Sequence, residues 1–187
     1  MESRSGKNPT SVSPSGTEVF LALGSNKGDR EAFFRLALDG LSAGGLELNR
    51  LSPLYETDPV DCEPGVPPFL NAVLFGIWRN TPETLLDLCQ KLERQAGRPE
   101  KHSSRQSREL DLDIILFGQQ ILHTARLTVP HPRAAQRGFV LIPLHDIAPS
   151  AVFPDCGRTV GELLSSLPPD AGVVRSGILT DLTDIRR

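Results

Sequence analysis

The sequence predicts an α+β fold: a ferredoxin-like β-α-β-β-α-β core whose sheet is mainly antiparallel, with its helices packed on one side. An extra hairpin and C-terminal helices are expected to follow that core. Three observations carry this reading. Two helical patterns are each opened by a capping residue, strand-like runs precede, separate and follow them, and the closing strand, residues 110–117, is a dense apolar run interrupted by two aspartates.

Taken in order, residues 18–23 read as the first strand, ending at Gly24-Ser25-Asn26. Asp29 caps a helix over residues 30–43, in which Phe33, Phe34, Ala37, Leu38 and Leu41 line one face. Gly44-Gly45 stops it. Residues 46–55 form the second strand and 69–78 the third, joined by a proline-rich loop over 57–68. Thr81-Pro82-Glu83 is a helix start, with a capping hydroxyl, a proline in the first turn and an acid near the positive end of the helix dipole. Leu85, Leu88, Cys89, Leu92 and Ala96 make its buried stripe. A hairpin around Gly118-Gln119-Gln120 and a strand at 126–129 extend the sheet, and helices are expected near 137–147 and 160–167.

Residues 1–16 lack the apolar content of a folded segment and read as a disordered tail, leaving 17–168 as the domain. Residues 169–187 form an extension whose structure the sequence does not assign. The 187-residue chain carries a net charge of −3, which gives no reason to expect a nucleic acid or an acidic membrane surface as partner. Cys62, Cys89 and Cys156 are odd in number and form no C-x-x-C pair, so a reducing compartment is expected. No apolar run reaches the ~20 residues of a membrane span and no signal-peptide core opens the chain, which reads as cytoplasmic.

The chemistry concentrates in the closing strand. Asp111 and Asp113 are two residues apart, so they share a face with Cα atoms roughly 6.5 Å apart, while Leu110, Leu112 and Ile114 face the core. Paired carboxylates on an apolar strand repel each other and resist desolvation. A hard divalent cation with oxygen ligands removes both costs, and Mg²⁺ is the natural choice. An edge strand whose polar face meets water is the plainer alternative. Just upstream, Arg98, Lys101, Arg105 and Arg108 form a basic stretch suited to a polyphosphate, although a solvated loop has the same composition. His131 is flanked by Pro130 and Pro132 and is presented rigidly, to a ligand or to the core. Asn71, the amide of an otherwise apolar strand, needs partners and offers a donor–acceptor pair to a heterocycle edge. Phe69 shares its face, and Phe139 is a second ring for a flat ligand. The run from Gly24 to Asp29 lacks phosphate-loop spacing and reads as a tight turn, with Asn26 making a local hydrogen bond.

Several segments, in order and spacing across residues 19–168, resemble the 6-hydroxymethyl-7,8-dihydropterin pyrophosphokinase family of folate synthesis. They are Ala22-Leu23-Gly24-Ser25-Asn26, Phe69-Leu70-Asn71-Ala72-Val73, Glu109-Leu110-Asp111-Leu112-Asp113-Ile114-Ile115-Leu116-Phe117-Gly118, and Leu127-Thr128-Val129-Pro130-His131-Pro132-Arg133 continuing to Arg137-Gly138-Phe139-Val140. The resemblance implies transfer of a pyrophosphoryl group from ATP to the pterin hydroxymethyl with release of AMP. It implies two Mg²⁺ ions on Asp111 and Asp113, and catalytic roles for Arg98 and Arg108 besides the aspartates. It further implies ATP contacts from Glu93, Arg98, Arg108, Arg126, Thr128, His131 and Arg137, and pterin contacts from Thr57, Val60, Phe69, Asn71 and Phe139. ATP and the pterin would be the partners of a monomer.

The chain departs from the family pattern in three places. A Trp-Gly-Pro-Arg run is usual before the aspartates, and here it reads Arg105-Gln106-Ser107-Arg108. Glu100 stands where a second arginine is usual, and Asp58 where a proline is frequent. A guanidinium can stack on a ring as the lost aromatic would. Two alternatives follow: a pterin- or nucleotide-binding module with impaired catalysis, or another metal-dependent transferase built on an Asp-x-Asp pair.

Overall fold

A computed structural model describes residues 16–59, 65–97, 107–168 and 172–179. Strand β1 (Thr17–Ser25), helix α1 (Arg30–Ala43), strands β2 (Glu47–Leu51), β3 (Leu54–Thr57) and β4 (Phe69–Trp78), helix α2 (Pro82–Gln95) and strand β5 (Asp111–Phe117) follow the predicted order. Asp29 caps α1 by accepting from the Ala32 N–H at 3.0 Å, and Thr81 caps α2 with Pro82 in its first turn. β1 is an interior strand, antiparallel to β4 on one side and to the edge strand β5 on the other.

The single second strand expected over 46–55 is two strands. Proline has no N–H to give a ladder, and Pro53 breaks the run. Both halves nevertheless lie along β4, with Leu51 opposite Leu74 and Tyr55 opposite Asn71. Ser52 bridges the break, because its N–H donates to the Val73 carbonyl and its Oγ accepts from the Val73 N–H, each at 2.9 Å.

After the core come β6 (Leu122–His123), β7 (Thr128–Val129), α3 (Gly138–Ile147), β8 (Val152–Phe153), β9 (Arg158–Thr159), α4 (Val160–Ser165) and β10 (Val173–Gly177). The hairpin does not extend the main sheet as expected. β6 and β7 pair only with each other, as do β8 and β9. Strand β10, in the stretch the sequence leaves unassigned, joins the sheet edge against β3. The tail over residues 1–15 lies outside the described residues.

Two apolar layers flank the sheet. Leu21, Leu23, Phe34, Leu38, Leu85, Cys89, Leu112 and Ile114 form the layer between the sheet and α1/α2. On the opposite face, Phe20, Val73, Ile115 and Leu116 pack against Val140, Leu141 and Leu144 of α3 and Val160 of α4. Burying each such side chain stabilises the fold by about 1.5–3 kcal/mol. Against the expectation of helices on one side only, α3 and α4 half cover the second face, and its other end holds the polar residues considered next. Among the described residues no helix is long and apolar enough to cross a membrane.

Candidate active site

Strand register builds the site. Gly24 of β1 stands opposite Asn71 of β4 on one side and Asp111 of β5 on the other. Tyr55 extends the row beyond Asn71. The next row is Val73, Ala22 and Asp113. In-register partners share a face, so Asn71 and both aspartates stand on the α3 side, separated only by the small residues of β1. The face beneath α3 turns apolar one row deeper, where Phe20 stacks on Phe75 at 5.0 Å. At the open end Thr57 pairs with Phe69, and the buried Asn71 amide donates to Thr57 Oγ at 2.8 Å. Thr57, Phe69 and Asn71 are thus neighbours at this end of the sheet.

Two nitrogen side chains, one cationic and one neutral, close on the aspartates. The Arg108 guanidinium donates to Asp111 Oδ2 at 2.7 Å and lies 5.7 Å from the Phe69 ring centroid. It spans the metal-type and aromatic sides of the row. His131 reaches the site because its N–H donates to the Ile115 carbonyl at 3.0 Å, which hangs the segment on β5. Its Nδ1 accepts from the Arg133 N–H at 3.3 Å, so its proton sits on Nε2, 4.0 Å from Asp113 Oδ2. Burial, then the Arg137 and Arg133 guanidiniums, push the imidazole down to about 4 against the pull of Asp111. His131 is neutral at pH 7.

The other residues singled out in the sequence are placed as follows. Arg137 opens α3, and its guanidinium lies 5.2 Å from the Phe139 ring centroid. Glu93 is buried on α2, where its Oε1 accepts from the Leu112 N–H at 2.9 Å. It holds the residue between the two aspartates. Thr128 sits in the β6–β7 ribbon, and Arg126 beside it pairs on the surface with Asp87 of α2 at 2.6 Å. Val60, Arg98, Glu100, Lys101, Arg105 and Gln106 lie outside the described residues.

Asn26 corrects the local-turn expectation. Its Oδ1 accepts from the Arg108 N–H at 2.7 Å, its own N–H donates to the Arg108 carbonyl at 3.1 Å, and its Nδ2 donates to the Pro67 carbonyl at 3.1 Å. One side chain thus ties the Arg108 segment to the loop before β4. Arg30 adds a second tie, donating to Glu56 at 2.6 Å and to the Pro68 carbonyl at 3.2 Å. Lys27 adds a third, to Glu109 at 2.6 Å. An asparagine beside glycines signals a turn, and nothing local names partners 41 and 82 residues away.

The carboxylates fit Mg²⁺ in a particular way. The Asp111 and Asp113 side chains are 22% and 42% exposed, and the described residues contain no cluster of three or more potential metal ligands. Mg²⁺ keeps several waters and binds through one or two carboxylates plus substrate phosphates. Two aspartates on an accessible face suit that arrangement, whereas a closed protein cage would need more ligands.

Comparison with known proteins identifies the family. Residues 20–149 match the model of the family described as 7,8-dihydro-6-hydroxymethylpterin-pyrophosphokinase (HPPK). The chain belongs to this family. It is 40% identical over 151 residues to the 2-amino-4-hydroxy-6-hydroxymethyldihydropteridine pyrophosphokinase of Pseudomonas aeruginosa, covering 80% of this chain and 91% of that one. It is 41% identical over 130 residues to the folate synthesis bifunctional protein of Arabidopsis thaliana, covering 70% of this chain. The chain spans only 27% of the length of that bifunctional relative. The crystal structure of Plasmodium falciparum HPPK-DHPS with pteroate shares the fold, with a TM-score of 0.63 at 13% identity over 80% of this chain and 44% of that one.

Proposed function

We propose that this chain transfers the β,γ-diphosphoryl group of ATP to the hydroxyl of 6-hydroxymethyl-7,8-dihydropterin, releasing AMP, with Mg²⁺ on Asp111 and Asp113. The observation that carries the reading is the row Asn71–Gly24–Asp111, which sets an amide and a carboxylate on one face across a single strand. Asn71 and Thr57 read the pterin edge, while Phe69 and Phe139 lie against its rings. Bound Mg²⁺ would supply charge neutralisation on the triphosphate and make the β-phosphorus more electrophilic.

The residues then divide the work. The hydroxymethyl oxygen forms a bond to the β-phosphorus as the bond from that phosphorus to the α,β-bridging oxygen breaks. AMP leaves with the electron pair, and the hydroxyl proton passes to solvent. Arg108 shifts from Asp111 to the transferring group and neutralises its developing charge, joined by Arg98. Neutral His131 donates from Nε2 to a phosphate oxygen, with Arg137 beside it; Arg126 and Thr128 contact the nucleotide, and Val60 the pterin. Glu93 acts on the nucleotide side through the strand that carries the aspartates. Catalysis of this kind is chiefly positioning, so a strong base is not required.

Two variants separate the halves of the site. Asp113→Asn is expected to lower the rate of AMP formation by more than about a hundredfold, and Asn71→Ala to raise the pterin KM with a smaller effect on the ATP KM. Full activity in Asp113→Asn would contradict the metal assignment, and an unchanged pterin KM in Asn71→Ala would contradict the pterin assignment.

A further inference from the structure

Gly24 has no structural reason to be glycine. It does not occupy the left-handed backbone region, unlike Gly28 at φ +70° in the following turn. A Cβ built on it meets nothing closer than Asp111 Cβ at 3.7 Å and Asn71 Oδ1 at 3.8 Å, which are ordinary contacts. Gly76 of β4 differs, because a Cβ there would lie 2.7 Å from the Glu47 carbonyl oxygen. Glycine inside a central strand weakens the sheet relative to alanine, since it loses more backbone freedom and packs no side chain. Packing alone would therefore favour alanine at position 24.

What the missing side chain leaves is a trough. Gly24 lies in register between Asn71 and Asp111, and Ala22 between Val73 and Asp113, so the floor of β1 stays low over two rows. Two strand spacings put Asn71 and Asp111 about 10 Å apart across that floor. Glycine within a strand often marks a close approach of ligand to backbone.

We infer that Gly24 is a positioning residue by virtue of its lack of a side chain: its bare Cα is where the arm of a flat heterocycle held at Asn71 crosses β1 to meet a phosphate held at Asp111. A methyl group there fits the ligand-free protein and blocks the junction of the two ligands. The inference rests on the substrate assignments proposed above. The open space over position 24 is the room the hydroxymethyl arm needs, and a side chain there would take it.

The test is Gly24→Ala beside the parent protein. The melting temperature, the Kd of a non-hydrolysable ATP analogue with Mg²⁺, the Kd of the pterin alone and the steady-state rate of AMP formation would be measured for both. The expected result is a melting temperature equal to or above that of the parent, each ligand alone bound within about threefold, and kcat reduced at least a hundredfold. A structural role would instead lower the melting temperature and weaken both ligands together, and that pattern overturns the inference. Parent-like turnover in Gly24→Ala overturns it too while leaving the proposed reaction standing. If the parent forms no pterin-dependent AMP, the reaction itself fails and the inference falls with it.

Discussion

His131 is held by a backbone hydrogen bond to Ile115, by the Arg133 N–H on Nδ1, and by two guanidiniums that disfavour its protonated form. Burial is the larger influence and the guanidiniums add to it, so its ionisation in the ligand-free protein is expected near pH 4, where a solvated imidazole would show about 6.5. Proton NMR titration of the His131 ring reads this directly. A midpoint between 6 and 7 would mean that the ring is neither buried nor faced by Arg137 and Arg133. The motif around His131 is legible in the sequence because the flanking prolines stand out. Its tautomer is not, because that depends on Arg133 folding back over Nδ1. Asp111 and Asp113 are legible for a simpler reason: strand period alone puts them on one face.

At the scale of elements, the β1–α1 turn binds the segments that frame the site. Arg30 holds both ends of the loop between β3 and β4, through Glu56 before it and Pro68 after it. The side chains of Arg30 and Glu56 are 32% and 40% exposed, so the pair contributes at most about 1 kcal/mol. Arg30→Ala is accordingly expected to raise the pterin KM by up to about fivefold with kcat unchanged. Increasing salt should narrow the difference by screening the pair in the parent. A matched fall in kcat at constant KM would remove the loop-anchoring role. None of this is legible from residues 24–30, since a turn motif specifies its own backbone and not distant partners. β10 is hidden for a related reason. Val174 is 67% exposed, so the strand has no buried face to leave a pattern, and pairing with β3 is what holds it in the sheet.

Across the whole molecule, one sheet serves two layers, and the division explains where the site lies. The α1/α2 layer takes the apolar faces of all the long strands, and its helices are legible because their caps and stripes are local. The α3/α4 layer covers only the Phe20, Val73 and Leu116 end of the other face. The polar end remains for Asn71, Asp111, Asp113 and His131, brought together from β4, β5 and the segment after β7. The sequence is silent on this half-covering, because residues 138–147 are apolar on nearly every side and point to no particular face. The central claim is that these rows pass a diphosphoryl group from ATP to a pterin alcohol. The direct measurement is the nucleotide product formed from ATP, Mg²⁺ and 6-hydroxymethyl-7,8-dihydropterin, followed by ³¹P NMR. The account predicts AMP and a pterin diphosphate in equal amounts, both abolished when the metal is chelated; ADP with a pterin monophosphate, or AMP formed without pterin, would contradict it.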